Sequence, residues 1–226
     1  MGNDLANEQT YDSAFWTCME KLRKYIIPLV NEVFGEHFTE KANISIKNNK
    51  HVVEQTDGSL KQFFTDGYVG LSEMFDSLVE NNYNMECETW YDQGIGIRVE
   101  QYEAAVAMEN TYSVGSVIHV CHPKSAVIFL QANKSIPEKF TIRHWAPDRK
   151  TYMEFDVPAV KIQDYSIDEI FKKRLLLLLP FYAFNYSEQD FEGMEADGSG
   201  MEQLRAALDD INKRLVGLVD AGEISA

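Results

Sequence analysis

Apolar residues recur at helical spacing through Phe15, Met19, Leu22, Ile26, Val30 and Val33. This predicts a helical arm from about Asp12 to Phe34, broken or kinked at Pro28 and stopped at Gly35. Two runs of strand character follow, Gln62–Leu71 and Asn82–Trp90, both rich in aromatic or alternating residues. From Ile95 to Met108 the period returns to that of a helix, with Val99, Tyr102 and Val106 on one face. Ser125–Gln131 is short and continuously apolar, the pattern of a strand buried on both faces. Phe140–Trp145 and Tyr152–Val157 predict a hairpin about the Pro147-Asp148 turn, and Tyr165–Phe184 reads as an apolar helix ending near Pro180. Helix, strands, helix, buried strand, hairpin and helix in that order predict an α/β fold, a mixed central β-sheet flanked by helices.

The composition shifts near the C-terminus. Residues 187–226 hold ten acids and three bases, so these forty residues carry −7 of the chain's −15. Residues 187–200, with Gly193, Gly198 and Gly200, read as an acidic linker. Beyond it, Met201, Leu204, Leu208, Ile211, Leu215 and Leu218 alternate spacings of three and four, which predicts a C-terminal helix over 201–226. A stripe under three heptads long suits a packing helix, and residues 201–219 offer it to a second copy or to another helix.

Charge narrows the function. Thirty-six acids against twenty-one Lys and Arg exclude a broad basic surface for nucleic acid, while leaving room for a small local site. Cys18, Cys87 and Cys121 are an odd, widely spaced set, the usage of free thiols in a reducing cytoplasm. The N-terminus lacks the apolar segment of a secretory signal, and Ala6 stands where a myristoylation motif needs Ser or Thr. The Leu175–Phe184 stretch is interrupted by Pro180 and falls short of the ~20 residues a bilayer span needs, so no membrane partner is expected.

Candidate chemistry gathers in the second strand-like run. Side chains alternate along a strand, so Glu86 and Glu88 share one face about 7 Å apart while Met85 and Cys87 take the other. If Gln62–Leu71 pairs with this run, Asp66 reaches the same face. Converging carboxylates repel unless a cation joins them, and Mg²⁺ takes oxygen ligands of this kind, commonly one or two carboxylates plus substrate phosphate. The same acids also suit a solvated sheet face.

The chain resembles the PD-(D/E)XK nuclease superfamily, in particular its bacterial recombination-promoting nuclease (Rpn) and transposase-like branch. The residues that carry the resemblance are Tyr11-Asp12-Ser13-Ala14-Phe15, Ile27-Pro-Leu-Val-Asn-Glu-Val-Phe-Gly35, Thr65-Asp66 and Met85-Glu86-Cys87-Glu88. Ile97-Arg98 through Tyr102, Ser125-Ala-Val-Ile-Phe-Leu130 and Ile167-Asp168-Glu169-Ile170-Phe171 continue it, so that it covers roughly Tyr11 to Tyr186, within a nuclease-like domain of residues 1–186. It implies an αβββαβ core of the restriction-endonuclease type and a metal-dependent DNA endonuclease associated with recombination or mobile elements. Asp66 and Glu86 would hold Mg²⁺ or Mn²⁺, with the Cys87 carbonyl a further ligand and Glu32 a first-helix acid. The superfamily has Lys two residues after the second acid, and this branch has Gln; here that position is Glu88. A glutamate adds repulsion and cannot donate when ionised. Glu88 therefore joins the metal set, or a base arrives from elsewhere, or cleavage is lost. Arg98, early in the next helix, is the candidate substitute, unless it is a surface ion pair with its Glu100 and Glu103 neighbours.

Other motifs are weaker. His119-Val-Cys121-His122 has zinc-ligand types without a second cluster. Cys87 points coreward by strand parity, so its thiol reads as inert. Gly94-Ile-Gly96 lacks the rest of a nucleotide-binding loop and reads as a tight turn, and Lys172-Lys173-Arg174 as the wet face of a helix. Glu86 and Glu88, on one strand, do not straddle a sugar as a glycosidase pair would. Two readings stand: a Mg²⁺-dependent nuclease using Asp66, Glu86, Glu88 and Arg98, or a catalytically inactive nuclease-fold protein acting as an acidic interaction scaffold.

Overall fold

The N-terminal arm folds as two helices joined by a tight turn. The computed structural model describes residues 14–54, 58–73, 80–131, 135–186 and 199–224; Asp12 and Ser13, at the start of the expected helix, lie outside them. Helix α1 covers residues 14–21, a 3₁₀ turn covers Arg23–Tyr25, and α2 covers Ile26–Phe34. The break falls at Leu22 and not at Pro28. Pro28 is the third residue of α2, where an amide has no intrahelical acceptor, so its missing N–H costs nothing. Gly35 ends α2 in the left-handed conformation, φ 67°, as expected.

A mixed six-stranded sheet forms the centre. In chain order the strands are β1 Asn43–Ile46, β2 Lys50–Glu54, β3 Leu60–Phe64, β4 Gly67–Ser72 and β5 Asn81–Glu88. After helix α3 (Ile95–Glu109) come β6 Tyr112–Val114, β7 Val117–His119, β8 Lys124–Phe129, β9 Lys139–Trp145 and β10 Tyr152–Lys161. The sheet runs β1-β4-β5-β8-β10-β9, with β2-β3 and β6-β7 as separate two-stranded hairpins. Strand β4 is antiparallel to both β1 and β5; β8 is parallel to β5 and β10 to β8; β9 returns antiparallel to β10.

The strand expected over Gln62–Leu71 is two elements in two different sheets. Thr65 and Asp66 separate β3 from β4, and Asp66 occupies the break. Pattern alone cannot see this, because Phe63, Phe64, Tyr68 and Val69 keep an apolar density that hides the switch of partner. The apolar helix expected over Tyr165–Phe184 is also divided. Helix α4 covers Ile167–Lys172, opened by a reciprocal capping box between Ser166 and Glu169, and the leucine run forms 3₁₀ turns over Leu176–Asn185 that continue past Pro180.

Each face of the sheet has its own apolar layer. On one, Tyr83, Met85, Cys87 and Ile128 pack with Phe15, Ile26, Leu29 and Val30 of the N-terminal helices and with Leu177 of the leucine run. On the other, Val127, Phe129 and Val157 pack with Ile95 and Val99 of α3. Helix α5, Ser199–Asp220, closes the first layer: Ile211 is buried, Leu215 and Leu218 pack against the core, and Met201 and Leu208 stay exposed. Residues 187–198 of the expected linker lie outside the described residues, and α5 begins inside the remainder, at Ser199. Among the described residues no helix is long and apolar enough to cross a membrane.

Candidate acidic site beneath helix α3

Strand register brings the two key acids together. Gly67 of β4 pairs with Met85 of β5, so Asp66, one position before Gly67, comes opposite Glu86. In place of a further ladder bond, the Asp66 carboxylate accepts the Cys87 N–H at 2.8 Å. The N–H and C=O of one extended residue point the same way, so the Cys87 carbonyl faces the Asp66 side as well. Glu86 pairs with Val127 and Cys87 with Ile128 along β8. Paired residues share a face, so Glu86 belongs to the layer under α3 and Cys87 to the opposite one.

The face that carries Glu86 is not solvated. Glu86 is only 2% exposed, and its Oε1 accepts a hydrogen bond from the Asn84 amide at 2.8 Å. Glu88, at the open end of the strand, is half-buried and meets Arg98 at 2.6 Å. Arg98 also pairs with Asp92, not with Glu100 or Glu103, so its position near the start of α3 brings a base to the acids by way of two carboxylates. Burial works against the guanidinium charge, and Glu88 and Asp92 outweigh it, holding Arg98 above its ordinary pKa. Tyr102, one turn along α3, registers the gathering. Burial first, then the charges of Glu86 and Asp66, push its hydroxyl up to about 12, with Glu88 adding to the effect and Arg98 opposing it. The charges of Asp66, Glu86, Glu88 and Arg98 are thus all felt at one phenol.

Glu32 is not brought there. It lies on α2, which packs on the opposite layer, and accepts from Lys173 at 2.7 Å and from the Tyr165 hydroxyl at 3.2 Å. Lys173 is therefore occupied by Glu32 and Arg174 by Glu223, 2.7 Å away. His119 stacks on Tyr112 and His122 turns toward His144, so the zinc-like cluster opens out. Gly94 caps the start of α3, as a tight turn would.

Beyond the expected residues, the structure adds a second buried acid. Glu103 of α3 is fully buried, beside the Ser125 hydroxyl but without a well-formed hydrogen bond to either oxygen. Burial pushes its carboxyl up to about 7; Ser125 opposes this, Glu100 adds to it, and His144 opposes it. His144 in turn meets Glu100 at 2.9 Å. The signal for Glu103 was in the pattern, since it falls four residues after Val99 and three before Val106, on the apolar face of its helix.

The donor set suits a hard divalent ion. Among the described residues no group of three or more His, Cys, Asp and Glu is gathered to hold a metal. Magnesium does not need one, because water and substrate phosphate complete a shell begun by one or two carboxylates. Two carboxylates opposite one another, both felt at the Tyr102 hydroxyl, fit that requirement in donor type and in charge. Compared with protein-family models, with characterised proteins and with solved structures, the chain matches none.

Proposed function

We propose that the chain is a metal-dependent DNA endonuclease of the PD-(D/E)XK type. The observation that carries the reading is Asp66 opposite Glu86 on adjacent strands under α3. The sequence of elements supports it, since α2, β1, β4, β5, α3 and β8 run helix, three strands, helix and strand, with Asp66 just before the second of those strands and Glu86 near the end of the third. Asp66 and Glu86 would hold Mg²⁺ or Mn²⁺, with the Cys87 carbonyl on the same side. A bound ion supplies an acidified water and a counter-charge to the phosphodiester.

The chain's own residues divide the remaining work. Asn84 fixes the Glu86 carboxylate by its amide hydrogen bond. Tyr102 keeps its proton at neutral pH and would not serve as a base. Arg98, clamped between Glu88 and Asp92, presents a guanidinium beside the acids, in the role a lysine on the strand would have. Glu88 thereby orients the base that replaces the family's Lys or Gln.

One observation favours the second reading, a nuclease-fold scaffold without turnover. Arg98 is shared between two carboxylates, which lowers what it can offer a phosphate. Plasmid nicking separates the two. With Mg²⁺ or Mn²⁺ the wild-type chain converts supercoiled plasmid to the open form, and Asp66→Ala does not. Plasmid left equally intact by both proteins overturns the nuclease reading.

A further inference from the structure

Charge is unevenly placed along this acidic chain. Residues 110–153 contain two acids, Glu138 and Asp148, against Lys124, Lys134, Lys139, Arg143, Arg149 and Lys150. That segment is +4 while the rest of the chain is −19, the two together making −15. The ribbon made by β9 and β10 begins within it and continues beyond it; residues 139–158 carry Lys139, Arg143, Arg149 and Lys150 against Asp148, Glu154 and Asp156, a balance of +1. Seven residue pairs join these strands, and only Ala159–Lys161 of β10 pair with β8, so Tyr152–Pro158 have β9 as their ladder partner.

The ribbon's two faces differ in chemistry. Phe140, Ile142 and Val157 turn toward the α3 layer. The outer face carries Lys139, Thr141, Arg143 and Trp145 of β9 with Tyr152, Glu154, Asp156 and the half-buried Pro158 of β10; Lys139 pairs with Asp156 and Arg143 with Glu154. Trp145 and Tyr152 are 53% and 49% exposed with ring centroids 4.9 Å apart, and the Arg143 guanidinium lies 5.0 Å from the Tyr152 ring. The connecting turn places Arg149 and Lys150 beside this ladder, and neither makes an ion pair among the described residues. The one acid of the turn, Asp148, accepts the Lys150 and Thr151 amides at 2.9 and 3.2 Å.

An apolar protein partner would want an aliphatic floor, which one half-buried proline does not supply. Aromatic rings flanked by cations match unpaired bases and their phosphates, because every base has a face to stack and every linkage a charge. We propose that the outer face of the β9–β10 ribbon binds single-stranded nucleic acid, through Trp145, Tyr152 and Arg143 for bases and Arg149 and Lys150 for phosphates. By strand alternation this outer face lies on the side of Val160, the side of the sheet opposite Glu86, so the binding is independent of the acid pair and does not rest on the nuclease reading.

The test is anisotropy of a labelled oligothymidylate titrated with the full chain in EDTA, where no metal-dependent cleavage intervenes. Wild type binds, and Trp145→Ala with Tyr152→Ala weakens binding by at least ~10-fold, the loss expected of base stacking. Arg149→Glu with Lys150→Glu weakens it similarly and flattens its salt dependence. The four positions are exposed, and unchanged thermal unfolding of both double variants certifies the comparison; should either shift, Trp145→Phe, which keeps a stacking ring, must retain binding. Asp66→Ala binds like wild type whether or not plasmid is cleaved, so the two readings fail independently. Absence of binding, equal binding by the variants, or equal preference for duplex overturns the proposal.

Discussion

Glu103 is the residue whose environment makes the sharpest single-group prediction. Its native carboxyl keeps a proton up to about pH 7, against 4.5 for an unshifted glutamate. Between those values the unfolded chain has released the proton and the native chain has not, so native stability falls as pH rises through this window and the full penalty is present above it. Glu103→Gln removes that slope. Chemical denaturation of the two proteins from pH 5 to pH 8 then shows the variant gaining about 1–3 kcal/mol over wild type at the alkaline end. A difference that does not change with pH contradicts the burial argument. Asn84 makes a different prediction. It is fully buried and donates to Glu86, so Asn84→Ala leaves the carboxylate less firmly oriented. Loss of an outer hydrogen bond of this type weakens divalent-ion binding by about 10–100-fold, which calorimetric titration with Mn²⁺ reads directly.

At the scale of elements, β4 begins where α1 presses closest. A Cβ on Gly67 would stand 2.6 Å from the Met19 sulfur and 3.1 Å from the Phe15 ring. Gly67→Ala therefore pushes α1 off the sheet or shifts the start of β4, and Asp66 with it. Both thermal stability and ion binding fall, by about 1–3 kcal/mol in stability for an overpacked core position; stability unchanged shows that α1 does not set the position of Asp66. Helix α5 offers a contrast along one stripe. Ile211→Ala costs about 2–5 kcal/mol because the residue is buried, whereas Leu208→Gln, at an exposed position, stays within about 0.5 kcal/mol. Equal effects at the two positions, read by denaturant midpoint, would mean that the exposed half of the stripe has a partner.

The same elements show what the amino-acid pattern reveals. Helix α3 and strands β5, β8 and β9 carry a clear period or an unbroken apolar run, and each is found within two residues of its expected bounds, while β10 runs four residues past Val157, to Lys161, where it pairs with β8. Strands β1, β2, β6 and β7 are short, polar or half-exposed, and carry no period to read. The split of β3 from β4 depends on which strands pair, a tertiary choice invisible in local spacing. The direction of Glu86 followed from strand parity, but its burial did not, because parity says which face a residue takes and not what covers that face. Glu32 was placed by likeness to a first-helix acid, and the sheet separates that helix from Glu86. The neighbours of Arg98 likewise came from the turn before α3, through Asp92, and from the strand, through Glu88, and not from its own helix.

At the scale of the whole molecule, the sheet separates two kinds of work. One layer, closed by the N-terminal helices, the leucine run and α5, is almost wholly apolar and supplies stability. The other is capped by α3 and carries the polar residues: Asp66, Asn84, Glu86, Arg98, Tyr102 and Glu103. Like charges held in a covered layer cost stability unless something neutralises them, and in the proposed function a divalent ion shared by Asp66 and Glu86 would do so. Calorimetric titration of the full chain with Mn²⁺ measures this claim with the fewest intervening steps. One ion is expected to bind per chain, lost in both Asp66→Ala and Glu86→Gln and kept in Glu32→Ala. Binding that survives in Asp66→Ala, or a wild-type chain that takes up no ion, contradicts it.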